Sequence, residues 1–419
     1  MGDHSVIRLM RELHQLEKHD QLGMTSVSDW VHYNEASFRE IDGLILGPPE
    51  TPYAFGFYHF LITIPNDYPR SPPSVILKTT NRGRTRFGPN LYANGKVCLT
   101  WRGESGEEWS PAQGIESVLL SIQSLLSSNP YFNEPGYEEQ SARSQDAEQI
   151  QLYSDKITHE NIRLTVLDPL ELAMGVTKTS RHQSDDLEYP GSRYDGSFYP
   201  NPFIDYCKKR FLWYRDHYKQ VVQHGIDTHQ SRHHQEFPEL PFETDGNSMC
   251  GEWDFVDLLS RIQTLENIMM QEITGWPSAG LTLDKAESGL AASLRAQHEQ
   301  VSMELKNRIG DAFDLTLVDN NPFLWLFTMF GRPMTQYEGG VFRIKIFISP
   351  QHPIEQPRVF VETPIFHGIY HSLEEESPPF NPMMTVNAEA TKLCWGSEDE
   401  RREYKRKLRR SVADSADQF

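Results

Sequence analysis

The sequence predicts an α+β chain that carries one folding unit twice. Three observations lead there. Runs rich in β-branched and aromatic residues cluster between positions 38 and 80, with amphipathic helical stretches before and after them. Segments rich in Gly and Pro join those runs as turns. A second region, displaced by 284 positions, repeats the same turn glycines and prolines without a gap.

Ser5–Lys18 reads as a helix, because Val6, Leu9, Met10, Leu13 and Leu16 share one face and Asp3 or Ser5 can cap it. Phe38–Leu46 and Phe55–Ile64 read as strands, with GPPETPYAFG as the turn between them. Val75–Thr80 is a third strand, entered through YPRSPP, whose prolines force extended backbone and exclude a central strand. Ser110-Pro111-Ala112-Gln113 reads as a helix start: a capping Ser, Pro in the first turn and Gln three residues after the Ser. Val118, Leu119, Ile122, Leu125 and Leu126 then form an apolar stripe that should stop near Asn129-Pro130. A further helix is expected over Gln145–Val166. From about 170 to 250 the chain is polar and rich in His, Pro and Gly. It reads as linker or loosely ordered insertion, interrupted by a helix near Tyr206–Val221. Trp253–Ile273 and Lys285–Arg308 are helical in pattern.

The repeat carries most information. Gly47, Pro49, Thr51, Tyr53, Gly56, Ile62 and Ile64 recur as Gly331, Pro333, Thr335, Tyr337, Gly340, Ile346 and Ile348. Pro69, Pro73, Val75 and Thr79 recur as Pro353, Pro357, Val359 and Thr363. Gly and Pro matches weigh heavily because they set backbone geometry. Each copy then presents a cysteine, Cys98 and Cys394, with a lysine two positions earlier, Lys96 and Lys392.

The 419 residues, at roughly 100–200 per domain, allow two or three domains. A net charge of −19 suits unspecific phosphate binding poorly, so no nucleic-acid partner is expected. No run approaches the roughly 18 apolar residues of a membrane span, and the amphipathic N-terminus does not read as a signal peptide. Val6 stands where a myristoylation signal starting at Gly2 needs Ser or Thr. Four widely spaced cysteines argue against a disulfide framework or structural zinc and for a reducing compartment, cytoplasmic and/or nuclear. Taken alone, a cysteine in such a chain is either a buried small hydrophobe or a nucleophile. The basic RREYKRKLRR reads as a solvated helix end, with a nuclear signal as the alternative. His217, His224, His229, His233 and His234 lie in the polar stretch without a nearby cysteine motif, so no metal site is expected.

Several motifs occur in order: GPPETPYAFGFYHFLITIPNDYPRSPP, then FGPN, then NGKVCLTW, then WSPAQGIESVLLSIQSLL. Together they resemble the catalytic core of ubiquitin-conjugating enzymes (E2s). The long Cys98–Trp109 gap and NPYFNEPGYEE are similar to the large subclass that includes the Z-type enzyme. The resemblance implies a UBC fold, a four-stranded antiparallel meander with packed helices. It covers 5–166 as a catalytic core, leaves 167–280 as polar linker or insertion with helices, and makes 281–419 a second, incomplete copy.

It further implies that Cys98 accepts ubiquitin as a thioester from an activating enzyme (E1) and passes it to a substrate lysine or a ligase (E3). Asn90 matches the asparagine of the family's His-Pro-Asn motif, as oxyanion donor, loop support or both. Gly88 replaces that motif's histidine, which should weaken the bracing of the loop. No aspartate stands in register beside the incoming lysine; Glu134 is the candidate substitute, with a solvated surface carboxylate as the other reading. Arg8 and Arg11 lie on the helix where the family docks E1, with an ordinary solvated helix face as the other reading. Arg70, Ser110, Pro111 and Ala112 lie on the E3-binding edge, Arg70 where E2s often carry an apolar anchor. No cofactor is implied, since ATP is used by E1. The second copy has no Trp-Ser-Pro and no long apolar helix after Cys394, so it is expected to be structural or partner-binding. Two alternatives stay open: an inactive ubiquitin-binding or scaffold protein of this fold, and an E2 for another ubiquitin-like modifier.

Overall fold

A computed structural model describes residues 4–21, 29–33, 37–99, 109–137, 147–176, 202–244, 246–284, 289–309, 313–331, 333–335 and 337–363. The chain divides into two compact units, one of residues 1–207 and 216–265, the other of 208–215 and 266–419.

The first unit opens with helix α1 (His4–Gln21), whose Leu9 and Leu13 are fully buried. Burial of such a side chain contributes about 1.5–3 kcal/mol. Strands β1 (Asp29–Tyr33), β2 (Glu40–Leu46), β3 (Phe57–Thr63) and β4 (Ser74–Leu77) form an antiparallel meander in sequence order. In its register Gly43 faces Phe60 and Ile62 faces Val75. Helix α2 (Ile115–Leu125) buries Ile115, Val118, Leu119 and Ile122, and Leu119 packs over Gly43.

The start of α2 departs from the expectation at Ser110. The Ser110–Gln113 segment closes a turn of its own: the Gln113 side chain accepts from the Ser110 N–H at 3.0 Å, and the Ser110 hydroxyl accepts from Ala112 N–H at 3.3 Å. The helix N-terminus is met instead by Glu12 of α1. Its carboxylate accepts from Ile115 N–H at 3.1 Å and from the Tyr68 hydroxyl at 2.6 Å, and pairs with Arg8. An anion at that position suits the helix dipole.

Helix α3 (Ala147–Glu160) runs into a π-helical stretch (Asn161–Leu167) and then α4 (Asp168–Ala173). The π stretch clasps the β2–β3 turn. Asn161 accepts from the Tyr58 hydroxyl at 2.7 Å and donates to the Ala54 carbonyl, while the Thr165 hydroxyl accepts from Phe57 N–H.

The segment expected as linker is only partly one in character. Helix α5 (Ile204–His229) and the start of α6 (Phe255–Asp284) bracket residues 230–254, and residues 216–265 belong to the first unit. The polar residues there are consumed by buried pairs. Lys156 Nζ and Glu243 Oε2 meet at 2.6 Å, both side chains fully buried, and Glu243 also accepts from the Leu240 and Met249 amides. His229 stacks on Trp253 at 4.3 Å and hydrogen-bonds Asp155 at 2.9 Å. A polar composition therefore reads as loop when its partners lie far away in sequence.

Two buried groups make this unit acid-sensitive. Burial pushes the Glu160 carboxyl up, but Arg163 at 2.7 Å and His159 at 3.0 Å outweigh it and hold the carboxyl at about 2. Burial pushes His217, edge-on to Phe55, down to about 4. Both folded values lie below the unfolded ones, so their stabilisation is fully present above the unfolded values and is lost as pH falls. Urea unfolding at stepped pH should show one loss from about pH 6.5 towards 4 and a second from about 4.5 towards 2. In Glu160→Gln the second loss should disappear.

The second unit contains helix α7 (Leu290–Ile309) and strands β5 (Phe313–Leu317), β6 (Leu324–Phe330), β7 (Val341–Phe347) and β8 (Arg358–Val361), again an antiparallel meander in order. Ala291, Leu294, Phe313, Leu315, Phe323, Trp325 and Ile348 form its core. Every strand begins 284 positions after its counterpart, as the repeat requires. The turn chemistry is also duplicated. The Thr51 hydroxyl accepts from Tyr53 N–H and Thr335 from Tyr337 N–H, both at 3.2 Å. A Cβ on Gly47 would fall 1.7 Å from the Tyr53 carbonyl oxygen, and one on Gly331 would fall 1.5 Å from that of Tyr337. Only glycine fits either position. Cys394 and the basic stretch lie outside the described residues. No helix among the described residues is long and apolar enough to cross a membrane.

Candidate active site

Residues 85–99 form an irregular loop and strand-like return beside β4. Val97 and Leu99 are buried at 7% and 4% exposure, and extended backbone alternates its faces, so Cys98 between them turns outward and is half-buried. The Cys98 N–H donates to the Asn90 carbonyl at 2.8 Å, and Asn90 Nδ2 donates back to the Cys98 carbonyl at 3.4 Å. The asparagine amide is thus tied to the Cys98 backbone through a long bond, and it carries a second N–H.

The missing histidine at Gly88 does not leave this loop unbraced. The Tyr53 hydroxyl donates to the Phe87 carbonyl at 2.6 Å and fills the space at residue 88, where a Cβ would come within 3.0 Å of it. Arg86, 2% exposed, does the rest. Its Nε donates to the Gly88 carbonyl at 3.2 Å and its Nη2 reaches the Pro89 carbonyl at 3.5 Å. Nη1 donates to the Phe242 carbonyl at 3.1 Å, and the guanidinium also lies about the rings of Tyr92 and Phe242, 5.6 and 5.5 Å from their centroids. Sequence reasoning missed Arg86, which looks like one more solvated arginine in NRGRTRFG.

Glu134 is the counterion of Arg86, at 2.7 Å and with 20% of its side chain exposed. Its Oε2 accepts from the buried guanidinium, so Glu134 helps to hold the loop. Lys96 rests its ammonium 5.1 Å from the Tyr92 ring.

The other two cysteines among the described residues differ. Cys207 is fully buried, which pushes its thiol well above the ordinary range and away from thiolate chemistry. Cys250 is exposed beside the Ser248 hydroxyl at 3.4 Å.

Two loops meet at one edge. Trp109 Nε1 donates to the Pro69 carbonyl at 2.8 Å, which joins the turn Ser110–Ala112 to the proline loop that carries Arg70. Arg70, Ser110, Pro111 and Ala112 are all exposed there. On α1, Arg11 is exposed while Arg8 is paired with Glu12.

Residues 8–160 and 295–372 match the ubiquitin-conjugating enzyme family. The chain is 36% identical over 261 residues to ubiquitin-conjugating enzyme E2 Z of Xenopus tropicalis, covering 62% of this chain and 70% of that protein. It is 33% identical over 290 residues to E2 Z of Homo sapiens, covering 69% of this chain and 70% of that protein. Among solved structures, a Toxoplasma gondii ubiquitin-conjugating enzyme E2 domain aligns with a TM-score of 0.30 and 27% identity, covering 38% of this chain and 98% of that one.

Proposed function

Because the chain belongs to the ubiquitin-conjugating enzyme family, we propose that it accepts ubiquitin as a thioester on Cys98 from E1 and transfers it to a substrate lysine or to an E3. The observation that carries this reading is a half-buried cysteine whose backbone N–H and C=O are both held by Asn90. In charging, the Cys98 sulfur attacks the thioester carbonyl on E1; the new C–S bond forms and the E1 thiol leaves. In discharge, a neutral amine attacks the same carbonyl, its C–O bond becomes an oxyanion, and collapse expels the Cys98 thiolate. Asn90 has an N–H to offer that oxyanion, a contribution worth roughly 2.7–4 kcal/mol in comparable sites. With Glu134 engaged by Arg86, the amine proton goes to solvent or to a group of the substrate. ATP is spent on E1, and the chain uses no cofactor of its own. The reading places the enzyme in a reducing compartment, cytoplasm and/or nucleus, where Cys98 stays a thiol. Arg11 and the edge of Arg70, Ser110, Pro111 and Ala112 are its E1 and E3 faces.

Incubation with E1, ubiquitin and ATP should give a reductant-sensitive adduct on the wild type, Cys250→Ala and Cys394→Ala, and none on Cys98→Ala. Ubiquitin bound without any adduct would support a scaffold instead. Adducts only with another modifier would assign the chain to that modifier.

A further inference from the structure

We propose that His233, His234 and Asp254 form a binding site for one divalent transition-metal ion of the zinc class. A short backbone ladder builds the site. His234 N–H donates to the Trp253 carbonyl at 2.8 Å, Trp253 N–H to Gln235 at 3.0 Å and Phe237 N–H to Gly251 at 2.8 Å, which places Asp254 beside the two histidines. Asp254 is fixed at both ends: its N–H donates to His159 Nε2 at 3.1 Å, and its Oδ1 accepts from Asp257 N–H at 3.0 Å at the start of α6. Side chains of consecutive residues normally diverge. Here His234 adopts φ of 61°, in the left-handed region, and the two rings lie together with centroids 3.7 Å apart.

Both imidazoles face the carboxylate. His233 Nδ1 lies 3.7 Å from Oδ1 and His234 Nδ1 lies 3.4 Å from Oδ2, and one donor atom from each residue lies within 4.8 Å of the others. These spacings exceed a good hydrogen bond. The three donor atoms, within 4.8 Å of one another, stand wider than the edge of about 3.3 Å of a tetrahedron with metal–ligand bonds of 2.0–2.1 Å, so the two exposed imidazoles would draw in by side-chain rotation to close on an ion. Two imidazoles and one carboxylate suit Zn²⁺ and its neighbours better than Mg²⁺ or Ca²⁺, which prefer all-oxygen shells. The histidine side chains are 40% and 39% exposed, so water has access to a fourth position. The ion would clip the 232–236 turn to the first turn of α6.

The test is titration of the full chain, freed of metal by chelation, with Co²⁺. The site should give the visible ligand-field bands of tetrahedral cobalt, saturating at one equivalent and bleached by Zn²⁺. His233→Ala, His234→Asn (which tolerates the left-handed backbone) and Asp254→Asn (which preserves the helix cap) should each weaken binding at least about tenfold. Far-UV circular dichroism of the metal-free variants should match the wild type. Absence of stoichiometric bands, or bands unchanged in the His233→Ala/His234→Asn double variant, would overturn the site. So would bands with sulfur-to-cobalt charge transfer that persist in that double variant, since a thiolate would then hold the metal.

Discussion

Replacing Arg86 by lysine should leave charging of Cys98 nearly intact and slow its discharge to free lysine by about ten- to a hundredfold. The guanidinium holds four groups at once: the Gly88 and Pro89 carbonyls just ahead of Asn90, the Glu134 carboxylate and the Phe242 carbonyl. A lysine keeps the charge and can satisfy Glu134, but it lacks the planar fork. The loop then loses its tether one and two residues before Asn90. A misplacement on the order of 1 Å costs about a hundredfold in rate. Charging depends on exposure of the thiol, which the alternating burial of Val97 and Leu99 supplies independently. Single-turnover assays separate the two steps. Equal loss in both would show that Arg86 maintains only the fold, whereas loss confined to discharge, approaching that of Asn90→Ala, marks it as a positioning residue.

Glu243→Ala should cost about 3–5 kcal/mol, a large part of the stability of a domain. It strands the Lys156 ammonium, which has no exposed surface and whose remaining hydrogen bond among the described residues is to the Pro238 carbonyl at 3.0 Å. Burial already pulls Lys156 below the usual lysine range, against the pull of Glu243. In the variant that depression deepens. A folded value below the unfolded one means that stability is regained as pH rises towards about 10.4. Denaturant midpoints at pH 7 and pH 9.5 measure both effects. Lys156→Met combined with Glu243→Leu should recover most of the loss, because apolar replacement of a whole buried pair is often neutral or better. A midpoint unchanged in Glu243→Ala would mean that the pair is hydrated in solution.

The repeat was legible because Gly47 and Gly331 sit where a Cβ would strike a backbone carbonyl, so the sequence had no freedom there. Cys98 and Asn90 were legible through their motif, and the structure brings their backbones within hydrogen-bond reach. Strand β1 was missed as an element in its own right: DWVHY is short and half polar, and it takes its strand form from pairing with β2. The start of α2 was misplaced because its cap comes from Glu12, about a hundred residues away, which no local pattern encodes. For the same reason the 230–254 segment read as linker while Glu243 is a buried counterion of Lys156. Glu134 was recognised as a carboxylate near the site, but its partner Arg86 decides what it does.

The chemistry proposed here rests on the Cys98 sulfur as the acyl acceptor, and intact-mass and peptide-mass analysis of the E1-charged protein locates the adduct. One ubiquitin should be found on the peptide containing Cys98, removed by reductant. In Cys98→Ser the same peptide should carry an adduct that reductant leaves in place and alkali cleaves. A ubiquitin mapped to Cys250 or Cys394, or full charging of Cys98→Ala, would contradict the assignment.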